Sequence, residues 1–287
     1  MSLDKLPTLV ETLKIHGLWA NKNLGQHFLL DMNITDKIAR LATPMEGVNV
    51  AEIGPGPGGL TRALIQNGAN VLAIEMDERF LPPLDDITRA SGKLRVLNAN
   101  GLKVDIANEF RNDGNKDIKI VANLPYNVGT KMLINWLTAD PFFWSQAVLM
   151  FQKEVAERVV AMPSDKAYGR LAILTQSVCT AHIAFEVPAK DFTPPPKVDS
   201  AVVVLNPLSP ENRFPNLKLL GEVTMSAFGQ RRKMLRASLK SIAKKYGTNP
   251  VDWCEKCSID PTVRPETLPV EAFQKLASIL STPRDDS

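Results

Sequence analysis

Between Val48 and Phe151 the chain alternates short β-branched runs with helix-spaced segments, and that rhythm leaves few folds open. Val48–Ile53, Val71–Glu75, Leu94–Leu97, Ile118–Ala122 and Ala147–Phe151 read as buried strands. Residues 60–67 and 129–137 read as helices between them, the first stopped by Gly68. A further helix is expected around 78–87, interrupted by Pro82 and Pro83. Strands that alternate with helices build a parallel sheet covered on both faces. Downstream, 171–179 reads as a helix, and 183–187 and 201–205 as strands able to pair antiparallel at the sheet edge. The expected fold class is α/β, a doubly wound Rossmann-like sheet.

Upstream, residues 6–15 carry helix-spaced apolar side chains and 17–31 read as a loop. Ile34, Ile38 and Leu41 mark a short helix that Asp31 or Asn33 can cap. After Asn206 the character changes. Pro207 and Pro210 break the chain, and Val223, Ala227, Met234, Leu235, Leu239 and Ile242 follow helical spacing. Two domains are therefore expected: 1–206, with its N-terminal segment 1–45 packing near a ligand, and a smaller all-helical domain over 207–287.

Ile53-Gly54-Pro55-Gly56-Pro57-Gly58-Gly59 follows a strand and opens a helix, the place where such sheets bind nucleotide-like ligands. On glycine spacing alone, NAD, FAD and S-adenosylmethionine all fit. Two features favour S-adenosylmethionine. Glu52 lies two residues before Gly54, where a carboxylate attracts a cationic sulfonium-methionine end and opposes a pyrophosphate. Pro55 and Pro57 remove two backbone N–H donors that a phosphate-cradling loop needs. Glu75 ends the second strand, placed to hold ribose hydroxyls, which supports an adenosine ligand generally.

Asn123-Leu124-Pro125-Tyr126 follows the fourth strand. The exocyclic amine of adenine is a poor nucleophile, because its lone pair is delocalised into the ring. The side-chain oxygen of Asn123 and a nearby backbone carbonyl can accept its two hydrogens and favour a tetrahedral nitrogen. Pro125 stiffens the loop and supplies a carbonyl without a competing N–H. Tyr126 offers a stacking face for a base taken out of its helix. Such catalysis is mostly positioning and preorganised dipoles.

From about Asn21 to its end the sequence resembles the small-subunit ribosomal RNA adenine dimethyltransferases, relatives of the macrolide-resistance methylases of large-subunit RNA. The resemblance is carried by Leu24-Gly-Gln-His-Phe-Leu29, Glu52-Ile-Gly-Pro-Gly56, Asn123-Leu-Pro-Tyr126, Gln152-Lys-Glu-Val155, Tyr168-Gly-Arg170 and Phe192-Thr-Pro-Pro-Pro-Lys-Val-Asp-Ser200. Gln230-Arg-Arg-Lys233 favours the ribosomal branch. It implies a methyltransferase sheet, S-adenosylmethionine as cofactor, and dimethylation of N6 on two adjacent adenines near the 3′ end of small-subunit ribosomal RNA, during late subunit assembly. It also implies site roles. His27 and Leu29 line the cofactor's methionine end, Gly54 packs against the cofactor, Glu75 holds the ribose and Asn100 meets the cofactor's adenine. Asn123 holds the target amine, with Leu124 and Pro125 beside it, and Tyr126 and Phe192 sandwich the target base. Phe192 is expected on a rigid, exposed loop because three prolines follow it. The family more often has Asn where this chain has His27, and Asp where it has Asn100. Loss of charge assistance at Asn100 is expected to weaken cofactor binding by about 1 kcal/mol.

Between Gly229 and Tyr246 there are seven Lys/Arg and no Asp/Glu. Arg232, Arg236 and Lys240 fall at i, i+4 and i+8, one face of a single helix, and Arg231 and Lys233 flank the first of them. Beside a base-methylating domain this stripe is expected to contact RNA phosphates, with Lys197 and Arg170 extending it.

Net charge is only +3, so basicity alone argues nothing. Three cysteines, an odd and low count, fit a reducing compartment. Cys254 and Cys257 have dithiol spacing but no strand–helix redox unit around them, and no metal is expected. No run approaches the roughly 18 apolar residues of a membrane span, and Met1-Ser-Leu-Asp-Lys resembles no signal peptide. A cytoplasmic monomer acting on ribosomal RNA or a pre-assembled small subunit is expected. Three rival readings are an NAD-dependent oxidoreductase, a non-catalytic RNA-binding assembly factor, and a large-subunit resistance methylase.

Overall fold

The computed structural model describes residues 3–20, 26–114 and 117–281. Leu24 and Gly25, the start of the first family motif, lie outside the described residues. The chain forms two compact units. The first comprises 1–133, 140–156 and 182–206; the second comprises 134–139, 157–181 and 207–287. Residues 157–181 thus group with the C-terminal helices, and the second unit is not a single contiguous stretch.

The first unit begins with α1 (Leu9–Ile15), closed by a reciprocal capping box between Thr8 and Glu11. A short strand β1 (Phe28–Leu29) precedes α2 (Met32–Arg40), whose cap is Asp31. The sheet proper follows: β2 (Asn49–Ile53), α3 (Gly59–Gln66), β3 (Asn70–Glu75), α4 (Leu81–Ser91), β4 (Leu94–Asn98), α5 (Ile106–Glu109), β5 (Ile118–Asn123), α6 (Gly129–Leu137) and β6 (Gln146–Gln152). After α7 (Lys153–Val160) and α8 (Arg170–Gln176) come β7 (Cys179–Val187), β8 (Phe192–Thr193) and β9 (Ser200–Pro207). Seven strands form one sheet in the order β4-β3-β2-β5-β6-β9-β7. Strands β4, β3, β2, β5 and β6 are parallel, β9 runs antiparallel to β6, and β7 lies beside β9 at the sheet edge.

Pro82 and Pro83 do not interrupt a helix; they occupy its first turn, and a 3-10 turn over Glu78–Phe80 precedes them. Proline is at home there, since first-turn N–H groups have no helical acceptor. The strand order places the topological switch between β2 and β5: the chain builds outward through β3 and β4, then returns to pair β5 with the other side of β2. The loops leaving these two strands therefore face each other across the crevice where α/β sheets bind ligands.

The first unit's core is one apolar cluster that includes Phe28, Leu29, Leu64, Val71, Phe80, Val148, Phe192 and Val202. Arg62 of α3 ties the N-terminal segment to it, donating to the Pro7 carbonyl at 2.6 Å and to Thr12 Oγ1 at 3.2 Å.

The second unit is helical at its C-terminal end: α9 (Leu217–Gly229), α10 (Leu235–Ser238), α11 (Lys240–Lys245), α12 (Pro250–Lys256) and α13 (Val270–Ser281). Buried Trp253 donates its indole N–H to the Leu276 carbonyl at 3.1 Å, and the rings of Phe228 and Phe273 pack 5.7 Å apart. Tyr168 of the Tyr-Gly-Arg motif is fully buried here, its hydroxyl donating to the Leu268 carbonyl. Cys254 and Cys257 are buried free thiols, and burial pushes Cys254 up to about 11, far from the range of a redox dithiol. Among the described residues no helix is long and apolar enough to cross a membrane, and no group of three His, Cys, Asp or Glu could hold a metal ion.

Candidate active site

The glycine turn after β2 is built from residues that tolerate a left-handed backbone. Gly54, Gly56 and Gly58 have φ of +68°, +53° and +86°. Gly58 is also the N-cap of α3, so the helix starts with its orphan N–H groups turned toward the loop. Across the switch point, Pro125 lies 3.8 Å from where a Gly54 Cβ would stand, so the two loops approach closely.

Between them opens a cavity of about 210 Å³. His27, Leu29, Gly54, Glu75, Asn100, Asn123, Leu124, Pro125 and Tyr126 all line it, and only Phe192 of the expected base- and cofactor-facing residues does not. Among the described residues no Lys or Arg lines it, whereas Glu52, Glu75 and Asp77 do. An electrostatic lining of this kind selects a cationic ligand and rejects a pyrophosphate.

Glu75 is 6 % exposed at the end of β3. Its two carboxylate oxygens accept the N–H of Asp77 at 2.8 Å and of Gly56 at 3.1 Å. These bonds fix the group and leave a second lone pair on each oxygen for vicinal hydroxyls. Burial raises its pKa, and the two backbone donors oppose that rise. Glu52 is 2 % exposed and accepts from Thr61 Oγ1 at 2.6 Å. Burial pushes it up to about 8, against the Thr61 hydrogen bond and with help from the nearby Glu75 charge. At neutral pH this carboxyl is mostly protonated, which refines the simple attraction expected of it. Asp77 at the rim behaves oppositely: its hydrogen bonds from Arg79, then Gln26, hold it at about 2 despite some burial.

Asn100 spends its side-chain oxygen on the Leu102 N–H at 3.0 Å, a turn bond that points the residue into the cavity and leaves one lone pair. Asn123 ends β5, and its amide meets no hydrogen-bond partner among the described residues. Pro125 cannot serve as the acceptor the sequence suggests. Its carbonyl already receives the N–H of Val128 at 3.1 Å and of Gly129 at 2.9 Å, which start α6. The carbonyl of Leu124, one residue earlier, receives no such bond among the described residues.

Tyr126 and His27 form the aromatic wall, with ring centroids 5.6 Å apart and planes 26° from parallel. The Tyr126 hydroxyl bonds Ser200 Oγ at 2.7 Å, and His27 Nδ1 meets the Pro194 carbonyl at 2.7 Å. A carbonyl only accepts, so Nδ1 carries the proton.

Phe192 departs from expectation. Its strand pairs with β1, Leu29 opposite Phe192, and the alternation of side chains turns the ring inward and Thr193 outward. At 2 % exposure it belongs to the core and does not line the cavity. The basic stripe also changes. Arg232 and Lys233 lie in the turn before α10, and a break at Leu239 separates Arg236 in α10 from Lys240 at the start of α11. Arg232, Lys233, Arg236 and Lys240 are exposed, but Arg231 pairs with Glu266 at 2.6 Å. Residues that pattern reading did not single out are Thr61, Gln26, Asp77, Pro194 and Ser200. Gln26, Pro194 and Ser200 stand inside the family motifs without an individual role there, Thr61 and Asp77 outside them; each acts by bonding a neighbour.

The comparisons agree with this geometry. The family model described as ribosomal RNA adenine dimethylase matches residues 17–282. A "Ribosomal RNA small subunit methyltransferase A" of Maricaulis maris is 53% identical over 279 residues, covering 96% of this chain and 96% of that protein. Its namesake in Phenylobacterium zucineum is 50% identical, covering 96% and 94%. Among solved structures, a dimethyladenosine transferase from Plasmodium falciparum superposes with a TM-score of 0.73 at 27% identity, covering 87% of this chain and 96% of that one. With its glycine turn, its Asn-Leu-Pro-Tyr loop and a near full-length match, the chain belongs to the ribosomal RNA adenine dimethylase family.

Proposed function

We propose that this enzyme transfers methyl groups from S-adenosylmethionine to N6 of two adjacent adenines near the 3′ end of small-subunit ribosomal RNA. The observation that carries the reading is the juxtaposition at the switch point. A cavity lined by carboxyls and, among the described residues, by no Lys or Arg meets an unengaged Asn123 amide and the open Leu124 carbonyl. The cofactor, when bound, supplies an electrophilic methyl group on a cationic sulfur.

The chain's own residues then have distinct tasks. Glu75 accepts from the ribose hydroxyls, and Asn100 accepts from the adenine of the cofactor. Gly54 allows close packing, and Leu29 and the free edge of His27 border the methionine end. Glu52 loses its proton to solvent when the cationic ligand binds and faces that ligand as a carboxylate. On the acceptor side, Asn123 Oδ1 and the Leu124 carbonyl take the two amine hydrogens, aiming the nitrogen lone pair at the methyl carbon. The bound cofactor would supply its methyl group to this nitrogen in place of one amine hydrogen, whose proton would pass to solvent. Tyr126 stacks on the flipped base, and Pro125 stiffens the loop through its bonds to α6. The first unit is the catalytic one. Exposed Arg232, Lys233, Arg236 and Lys240 of the second contact RNA phosphates, while Arg231 braces their turn. The enzyme acts as a monomer in the cytoplasm, late in subunit assembly.

The test is incubation of under-methylated small subunits with labelled cofactor, followed by nucleoside analysis. N6,N6-dimethyladenosine at two neighbouring positions is expected. Label in another nucleoside, or tight NAD binding without S-adenosylmethionine binding, refutes the reading.

A further inference from the structure

We propose that Ser200 is a positioning residue for Tyr126, and that the segment from Phe192 to Ser200 is a bracket holding the aromatic wall of the acceptor site. The inference rests on the reading above, in which a target purine stacks on Tyr126.

Tyr126 lies in the short connection between β5 and α6, and its side chain meets the His27 ring and Ser200 Oγ. Ser200 is the first residue of β9, is fully buried, and stands opposite Gln152 of β6 in the sheet ladder. Its hydroxyl is therefore fixed by backbone pairing and not by a mobile loop. A half-buried phenol needs a partner for its oxygen, and this one is supplied at 2.7 Å. Rotating the tyrosine ring about χ1 would break that bond and leave the Ser200 hydroxyl buried without its tyrosine partner. Burial raises the Tyr126 phenol and the Ser200 bond opposes the rise, so the hydroxyl stays a neutral group suited to such a tether.

The other ring of the wall is held from the same segment. Pro194 gives its carbonyl to His27 Nδ1 at 2.7 Å. Two bonds from one nine-residue stretch (192–200) thus reach the two cavity-lining rings. Phe192, the aromatic of that stretch, is the fastening of the bracket: its buried ring and its pairing with Leu29 fix the segment to β1. This accounts for its absence from the cavity wall.

The test is a double-mutant cycle with Ser200→Ala and Tyr126→Phe, which removes the hydroxyl and keeps the ring. Each single variant is expected to lower kcat/KM for RNA about tenfold, the worth of one such hydrogen bond. The double variant is expected to be no worse than either single, because both remove the same bond. Cofactor affinity, measured by calorimetry, stays within about twofold throughout, since no cofactor contact changes. A target RNA carrying 2-aminopurine at the methylated position adds a second readout: its fluorescence on binding should change alike in both single variants. Additive losses, an unchanged Tyr126→Phe enzyme, or a parallel loss of cofactor affinity overturns the proposal. If Ser200→Ala fails to fold, Tyr126→Phe alone still decides, for it must show the tenfold loss. Failure of the wild type to methylate adenine would instead sink the underlying reading.

Discussion

Because the Glu52 carboxyl is buried and protonated up to about pH 8, cofactor binding should release a proton. Let the complex hold Glu52 as a carboxylate. The fraction of ligand-free enzyme already ionised is then about one tenth at pH 7 and about one hundredth at pH 6. Affinity should therefore rise with pH, by roughly fifty-fold between pH 6 and pH 8, and flatten above. Calorimetric titrations at pH 7 in two buffers of different ionisation enthalpy should report close to one proton released per cofactor. Glu52→Gln should abolish that release and flatten the slope. An equal slope in Glu52→Gln would assign the pH dependence to the ligand's own amine and refute the argument. The same carboxyl sets a stability signature. Between its ordinary value of 4.5 and about 8, the folded enzyme keeps a proton that the unfolded chain has lost. Ligand-free stability should fall with rising pH across that window and level off above it. Melting temperatures of wild type and Glu52→Gln should diverge in favour of the variant as pH rises from 5 to 8.5; a constant difference would show that the group is ionised in the folded enzyme.

Asn123→Ala should lower methyl transfer by roughly 10²- to 10³-fold, the scale for removing one preorganised polar group, with cofactor affinity within about threefold by calorimetry. Replacing Arg232 and Lys233 by Ala should reduce the salt slope of RNA binding by roughly 0.7 to 0.9 per lost phosphate contact, whereas Arg231→Ala should chiefly lower the melting temperature by freeing Glu266. Gly58→Ala should destabilise the enzyme by about 2–4 kcal/mol in denaturant titrations, since its φ of +86° disfavours a side chain and the added methyl meets Ile87.

The sheet and both loops of the site were legible because their signals are local. Five β-branched runs, each followed by a helix or a loop, dictate the parallel order, and the glycines of 54–59 and the Asn-Leu-Pro-Tyr run mark the two loops beside the switch point. What was not legible depends on partners far away in the chain. Phe192 is buried because it pairs with Leu29, and nothing within the proline run announces that strand. The Pro125 carbonyl is consumed by the first turn of α6, a bond visible only once the helix start is placed. Arg232 falls off the basic face because the helix begins at Leu235, and Leu239 interrupts it again. Pro82 and Pro83 were read as breakers, yet proline breaks a helix only beyond its first turn.

The adjacency of β2 and β5 has a consequence for how the chemistry is gauged. The donor loop leaves one strand and the acceptor loop leaves its immediate neighbour. Paired strands stand about 4.8 Å apart. Their pairing over Asn49–Ala51 and Ile118–Ile120 keeps the roots of the two loops about one strand spacing apart, so the sheet sets how far apart the loops begin. Loops and rim residues can diverge to suit different RNA shapes without stretching that spacing.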